Sequence, residues 1–140
     1  MDKERVIALN PDRAGHHYPS FRYEVCAEKV REYADATGAR GGDVPPTFAA
    51  LFAVTRAGGY VFDDPELGAT ARLMHGNQEF DFHRPVRPGD VLECRPWITR
   101  ILSRRGSEFL TLQVDCVDAG TGEQVVTSRQ TVVFLPGRDG

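Results

Sequence analysis

Phe21, Tyr23 and Val25 alternate with polar neighbours in SFRYEV, a period of two that predicts a half-buried strand. AEKVREYADATG follows with Val30, Tyr33, Ala34 and Thr37 at helical spacing and stops at Gly38, a residue suited to a helix C-terminal cap. PTFAALFAVTRAGG then opens on a proline, tolerated in a first helical turn, and the pattern predicts an end at Gly58 and Gly59. Phe48, Leu51, Phe52, Val54 and the alanines leave hardly any polar face, so this helix is expected to be surrounded by protein. After a turn at FDDPELG come four strand-like segments, roughly residues 74–83, 90–102, 108–118 and 124–135. Their clearest alternation sets Leu110, Leu112, Val114 and Cys116 against Thr111, Gln113 and Asp115, whereas Pro96 fits a strand only at an edge or bulge. RRGSE and DAGTGEQ carry the turn glycines of consecutive antiparallel hairpins. The sum is α+β, one antiparallel sheet with a buried helix for it to wrap.

Residues 1–17, interrupted by Pro11 and Gly15, read as an irregular lead-in to a single domain spanning 1–140. A hydrophobic share of 41% with 26% charged residues is ordinary for a globular chain and argues against disorder. The net charge of -3 gives no reason to propose nucleic acid, since phosphate binding needs clustered positive charge. Arg100, Arg104 and Arg105 beside Gly106 read as a solvated hairpin end. No apolar run is long enough for a membrane span and MDKERVIALNPDR lacks a secretory apolar core, so a cytoplasmic protein is expected. Cys26, Cys94 and Cys116 are odd in number and widely spaced, which points to small core residues and to neither a disulfide framework nor a zinc site.

The densest chemistry lies in HGNQEFDFHRP, residues 75–85. By alternation Phe80 and Phe82 face one way, toward the helix, and Glu79, Asp81 and His83 face solvent or a partner chain. His16, His17, His75 and His83 have no spacing that supports a shared metal shell. A nucleophile elbow is absent, and the glycines at 41 and 42 match neither phosphate-loop pattern, so no metal or cofactor is implied. At the opening of the buried helix, Pro46 cannot donate, but the N–H groups of Thr47 and Phe48 are placed to polarise a ligand carbonyl. The competing reading is that the chain's own turn satisfies them.

YPSFRYEV, the REYADATG helix, VPPTF at the central helix and HGNQEFDFHRPVRPGDVL together resemble the MaoC-like hot-dog dehydratases and hydratases, over roughly residues 18–135. Within them the chain is most similar to the FAS1-like dehydratase N-terminal domain type. The resemblance implies a hot-dog fold, in which the antiparallel sheet wraps the helix of residues 46–57 and two sheets dimerise through their edges. It further implies an acyl thioester of coenzyme A or acyl carrier protein as ligand, and reversible hydration of a trans-2-enoyl thioester to the (3R)-hydroxyacyl form. A carboxylate and an imidazole activate water in that chemistry while backbone N–H groups hold the developing oxyanion.

Catalytic relatives carry an Asp shortly after the T-G closing the first helix and a His a few residues later. Here Ala39 follows Gly38, no histidine occurs before Thr47, and Asp43 is the one acid in a shortened connection. The resemblance therefore implies an accessory subunit, similar to the non-catalytic half of heterodimeric (3R)-hydroxyacyl dehydratases, with substrate contacts from Pro46, Thr47 and Phe48. His75, Gly76, Gln78, His83 and Arg84 are expected to serve support and assembly. Two alternatives stay open: a non-enzymatic homodimer that binds or scaffolds acyl thioesters, and a self-sufficient dehydratase pairing Asp43 with His75 or His83 across a dimer interface.

Overall fold

A computed structural model describes residues 9–41 and 43–135, so residues 1–8 of the lead-in and Gly42 lie outside the described residues. Strand β1 is Phe21–Glu24 and helix α1 is Ala27–Thr37, closed by Gly38 in the left-handed conformation at φ 75°. Four longer strands follow the central helix: β2 Leu73–Phe82, β3 Val91–Arg104, β4 Ser107–Asp118 and β5 Gln124–Phe134. They form one antiparallel sheet in the order β1-β3-β4-β5-β2, which leaves β1 and β2 at its edges.

The central helix is continuous but not uniform. It opens as a 3-10 turn, Pro46–Ala49, widens into a π-helical stretch, Leu51–Arg56, and closes as α-helix, Ala57–Asp63. The expected stop at Gly58 and Gly59 is thus a correction: both glycines sit inside the helix. Ala57 and Val61, buried on either side of them, hold the helical turn through packing, which outweighs the roughly 1 kcal/mol that glycine costs a helix interior.

Phe48, Ala49, Phe52, Ala53 and Ala57 point into the sheet and meet Leu92, Ile98, Leu110, Leu112, Val114 and Val126, all buried. Alternation in the strands supplies that inner face, and the helix alanines let the two layers approach closely. Tyr23, Tyr33, Phe48 and Phe52 form an aromatic cluster against it, with ring centroids 4.9–6.5 Å apart.

Pro96 sits where β1 has ended. Its carbonyl accepts from the Tyr18 N–H at 2.9 Å, and its missing N–H costs no ladder bond to β4 because a residue's donor and acceptor point to the same side of an antiparallel strand. The lead-in proves partly ordered: Pro11–Arg13 forms a 3-10 turn capped by Asn10, and His17 bridges Trp97 beyond the end of β1. Of the cysteines, Cys94 and Cys116 are buried and face each other across β3 and β4, but Cys26 is exposed before α1, a second correction. Arg105 and Gly106, both at positive φ, make the exposed turn between β3 and β4. Among the described residues no helix is long and apolar enough to cross a membrane.

Candidate functional site: two cavities along the central helix

Where the central helix begins, a cavity of about 650 Å³ opens between Asp43, Pro45, Pro46 and Ala49 on one side and Phe82, Pro85 and Arg87 on the other. Proline fixes both walls. Pro45 and Pro46 set the entry angle into the helix, and Pro85 and Pro88 shape the chain that leaves β2. Phe82, expected in the core, is 37% exposed and lines this opening, while Phe80 packs partly against the core. Among the described residues β2 is paired on one side only, so no further strand covers the apolar side chain at its end.

The residues proposed to contact substrate divide. Pro46 lines the cavity. The Phe48 N–H donates to the Pro45 carbonyl at 2.9 Å, inside the chain's own turn, and its ring is fully buried. Thr47 Oγ1 accepts from the Tyr33 hydroxyl at 2.8 Å and thereby ties the helix opening to α1.

Asp43, His75 and His83 are not brought together within one chain. Asp43 lines the opening cavity, and His75 lines a second cavity farther along the helix. His83 lies against the sheet's outer face, with Nε2 3.0 Å from Thr127 Oγ1 and its N–H donating to the Val125 carbonyl. Among the described residues no group of three or more His, Cys, Asp or Glu has the arrangement of a metal site.

Arg84 gives HRP…PGD a physical meaning. Its guanidinium donates to both Asp90 oxygens, at 2.9 and 3.3 Å, and reaches Asp118 at 3.3 Å and Glu123 at 3.4 Å. Hydrogen bonding to Asp90 is the first cause raising its pKa, so the charge is permanent. This one side chain ties the exit of β2 to the turn before β3 and to the β4–β5 hairpin. The bidentate pairing specifies an orientation that a lysine would not.

Gly76 marks a bulge in β2, between the pairs His75–Val132 and Asn77–Thr131. The extra residue moves His75 onto the helix-facing side shared by Gln78 and Phe80, which simple alternation from residue 80 backward does not predict. A Cβ at Gly76 would lie 3.1 Å from Val133 Cγ2, so the bulge has little room for a side chain.

The second cavity, about 320 Å³, lies between the later half of the central helix and the sheet. Gly58 and Gly59 form part of its helix wall, and a Cβ added to either meets no heavy atom within 4 Å. Gly58→Ala and Gly59→Ala are each expected to raise stability by about 0.5–1 kcal/mol, because alanine restricts the unfolded chain and suits a helix better. The check is the urea midpoint of each variant. A lowered midpoint would show that the added methyl meets an obstruction.

A five-stranded antiparallel sheet around one apolar helix, with cavities along that helix, is the hot-dog architecture. A MaoC-like dehydratase shares it with a TM-score of 0.75 and 27% identity, over 89% of this chain and 43% of that one. The C-terminally truncated HadBC (3R-hydroxyacyl-ACP dehydratase) complex from Mycobacterium tuberculosis matches with a TM-score of 0.70 and 23% identity, over 87% of this chain and 97% of that one. The ChsH1–ChsH2 complex from the same organism matches at 0.66 and 14% identity, over 89% and 87%.

Residues 12–128 match the model of the FAS1-like dehydratase domain region, and the chain belongs to that family. UPF0336 proteins of Streptomyces coelicolor and Thermobifida fusca are 39% and 37% identical to it, over 87% of this chain and 92% and 91% of their own lengths.

Proposed function

We propose that the protein is the accessory, acyl-binding subunit of an (R)-specific enoyl thioester hydratase or (3R)-hydroxyacyl thioester dehydratase, working beside a catalytic hot-dog subunit. One observation carries this reading: the cavity at the helix opening contains a carboxylate, Asp43, but no histidine among its lining residues. Water addition to an enoyl thioester needs a base to activate water and an acid to protonate the α-carbon. A lone exposed carboxylate supplies one half of that pair. The acid/base pair is therefore assigned to the partner, and this chain supplies walls and anchorage.

Family membership supports the chemistry, and two structures of like fold are complexes of paired subunits by name, one of them a 3R-hydroxyacyl-ACP dehydratase. In this reading β2, an exposed edge strand ten residues long, offers its unpaired backbone groups to the partner's sheet. Pro46 and Phe82 form an apolar wall for the acyl thioester, and Thr47 provides the backbone donor for its carbonyl, Phe48 being engaged in the turn. No cofactor is required, because the reaction moves one water and no electrons.

The test is hydration of a trans-2-enoyl-CoA series by the purified chain, then by the chain co-expressed with a hot-dog subunit encoded beside it. Activity is expected only with the partner. Turnover by the chain alone, abolished by Asp43→Ala, would overturn the accessory role in favour of a self-sufficient enzyme.

A further inference from the structure

The second cavity has a polar floor that an alkyl chain cannot use. Gln130 lines it and is 4% exposed, and among the described residues its side-chain amide makes no hydrogen bond. Its cross-strand partner, Gln78, donates to Ser128 Oγ at 2.9 Å and to the Glu79 carbonyl at 3.1 Å, while Gln78 Oε1 is buried without a partner. Thr55 and His75 add a hydroxyl and an imidazole to the cavity wall. Leu110, Leu112, Val132 and Phe134 make the remainder of the sheet side apolar.

The Gln130 amide is open to the cavity, whereas Gln78 Oε1 is the buried side-chain atom without a partner among the described residues. A hydrocarbon ligand would strip water from the Gln130 amide while giving no hydrogen bond in return, which is costly. A ligand oxygen placed against Gln130 turns that cost into a gain. Sites built with a polar group discriminate strongly against analogues that lack the matching one, far more than an apolar pocket discriminates by size. The volume falls near the lower end of ligand pockets, about 300–1,000 Å³. Ala49 of the first cavity and Val54 of the second lie on the same helix, five positions apart, a spacing of roughly 7 Å at an ordinary helical rise and well within the length of a long acyl chain.

We propose that the second cavity selects acyl groups bearing a keto or hydroxyl oxygen on the tail, well beyond the reacting carbons, and that Gln130 is the specificity-determining residue that hydrogen-bonds it. This assignment rests on the acyl-thioester reading above for the identity of the ligand, though not for the cavity itself.

Two kinds of ligand, a simple ketone and a set of thioesters, keep the two apart. 4-Octanone has the oxygen and no thioester. Titrated into the isotopically labelled protein, it is expected to shift the Gln130 side-chain amide resonances saturably, and Gln130→Leu is expected to weaken its binding about tenfold. Absence of a saturable shift at that amide overturns the inference. Gln130→Met, closer in shape to glutamine, replaces the leucine variant if that one fails to fold. In the second arm, hexadecanoyl-CoA is compared by calorimetry with its 10-, 12- and 14-oxo counterparts. At least one oxo form is expected to bind about tenfold more tightly, with the preference lost in the Gln130 variant. Equal affinity of all four for the unaltered protein overturns the tail selectivity. Ketone binding at Gln130 with no affinity for any thioester supports the oxygen site and removes the thioester reading.

Discussion

Phe52→Ala is expected to lower folding stability by about 3–5 kcal/mol, the range for deleting a fully enclosed aromatic ring. Phe52 is 0% exposed, lies 4.9 Å from the Tyr23 ring centroid and 6.5 Å from that of Phe48, and sits in the π-helical part of the central helix. Its neighbours are anchored elsewhere: Phe48 is fixed by the proline turn and the inner strand residues by the sheet. They cannot close over the space, so the cavity contribution adds to the lost transfer free energy. Urea unfolding followed by the fluorescence of Trp97, the chain's one tryptophan, reads the change as a fall in midpoint. A loss below about 1 kcal/mol would mean that the helix moves to fill the gap and that its π-helical register is not held by the core.

Asp64→Ala is expected to cost about 2–3 kcal/mol, from a different mechanism. Asp64 follows the central helix directly. Its carboxylate accepts from the Tyr18 hydroxyl at 2.7 Å, from Arg13 Nε and Nη2 at 3.0 and 2.8 Å, and from the Glu66 N–H at 2.9 Å. The side chain is 4% exposed, so removing it leaves a guanidinium and a buried hydroxyl without their acceptor. Through this carboxylate the lead-in is fastened to the end of the helix, a connection made by residues about fifty positions apart.

The same site makes stability depend on pH. Burial pushes the Asp64 carboxyl upward, but hydrogen bonds from Tyr18, the Glu66 amide and Arg13, with the Arg13 charge, outweigh it and hold its pKa below the ordinary value. A depressed native pKa means that the unfolded state takes up the proton first. The contribution is therefore fully present above the unfolded carboxylate pKa of about 4, and disappears as pH falls through the lower native value. Asp64→Asn keeps the shape and lacks the titration. Its stability is expected to vary less with pH below about 4 than that of the unaltered protein; parallel curves for the two would show that another carboxylate governs the acid transition.

Strands β3, β4 and β5 were legible because each buries one face, and burial on one face writes an alternation into consecutive residues. The hairpin glycines were legible for an equally local reason, the positive φ that Gly106 and Gly122 adopt. Alternation also assigned Phe80 to the helix side, and the resemblance carried by VPPTF and HGNQEFDFHRP led to the hot-dog architecture that the sheet order and the similar structures display. The helix end was misread because glycine is a local signal of termination, and the packing of Ala57 and Val61 that overrides it is not local. Cys26 was placed in the core by residue type alone, but it falls at the boundary before α1.

The candidate site was harder to read. That Asp43 has no histidine beside it was visible in the residue order, and the cavity lining agrees with that order. Nothing in the sequence marks Gln130 as a cavity residue: it stands in a strand among threonine, arginine and serine, where a polar residue reads as solvent-facing. Its side is set by its register against Leu112 on one strand and Gln78 on the other. The Gly76 bulge likewise turns His75 toward the helix, at a point where the sequence shows no more than a glycine.

The sequence by itself determined the class of fold, the succession of its elements and the lack of a histidine between Gly38 and Thr47, because hydrophobic period, turn chemistry and residue order are properties of neighbours along the chain. Only the tertiary structure decided that the helix continues through its two glycines, that a cavity opens beside them, and that Gln130 and His75 line it. Those outcomes depend on which distant residues pack together, since strand register and layer contact are settled by burying the whole core at once.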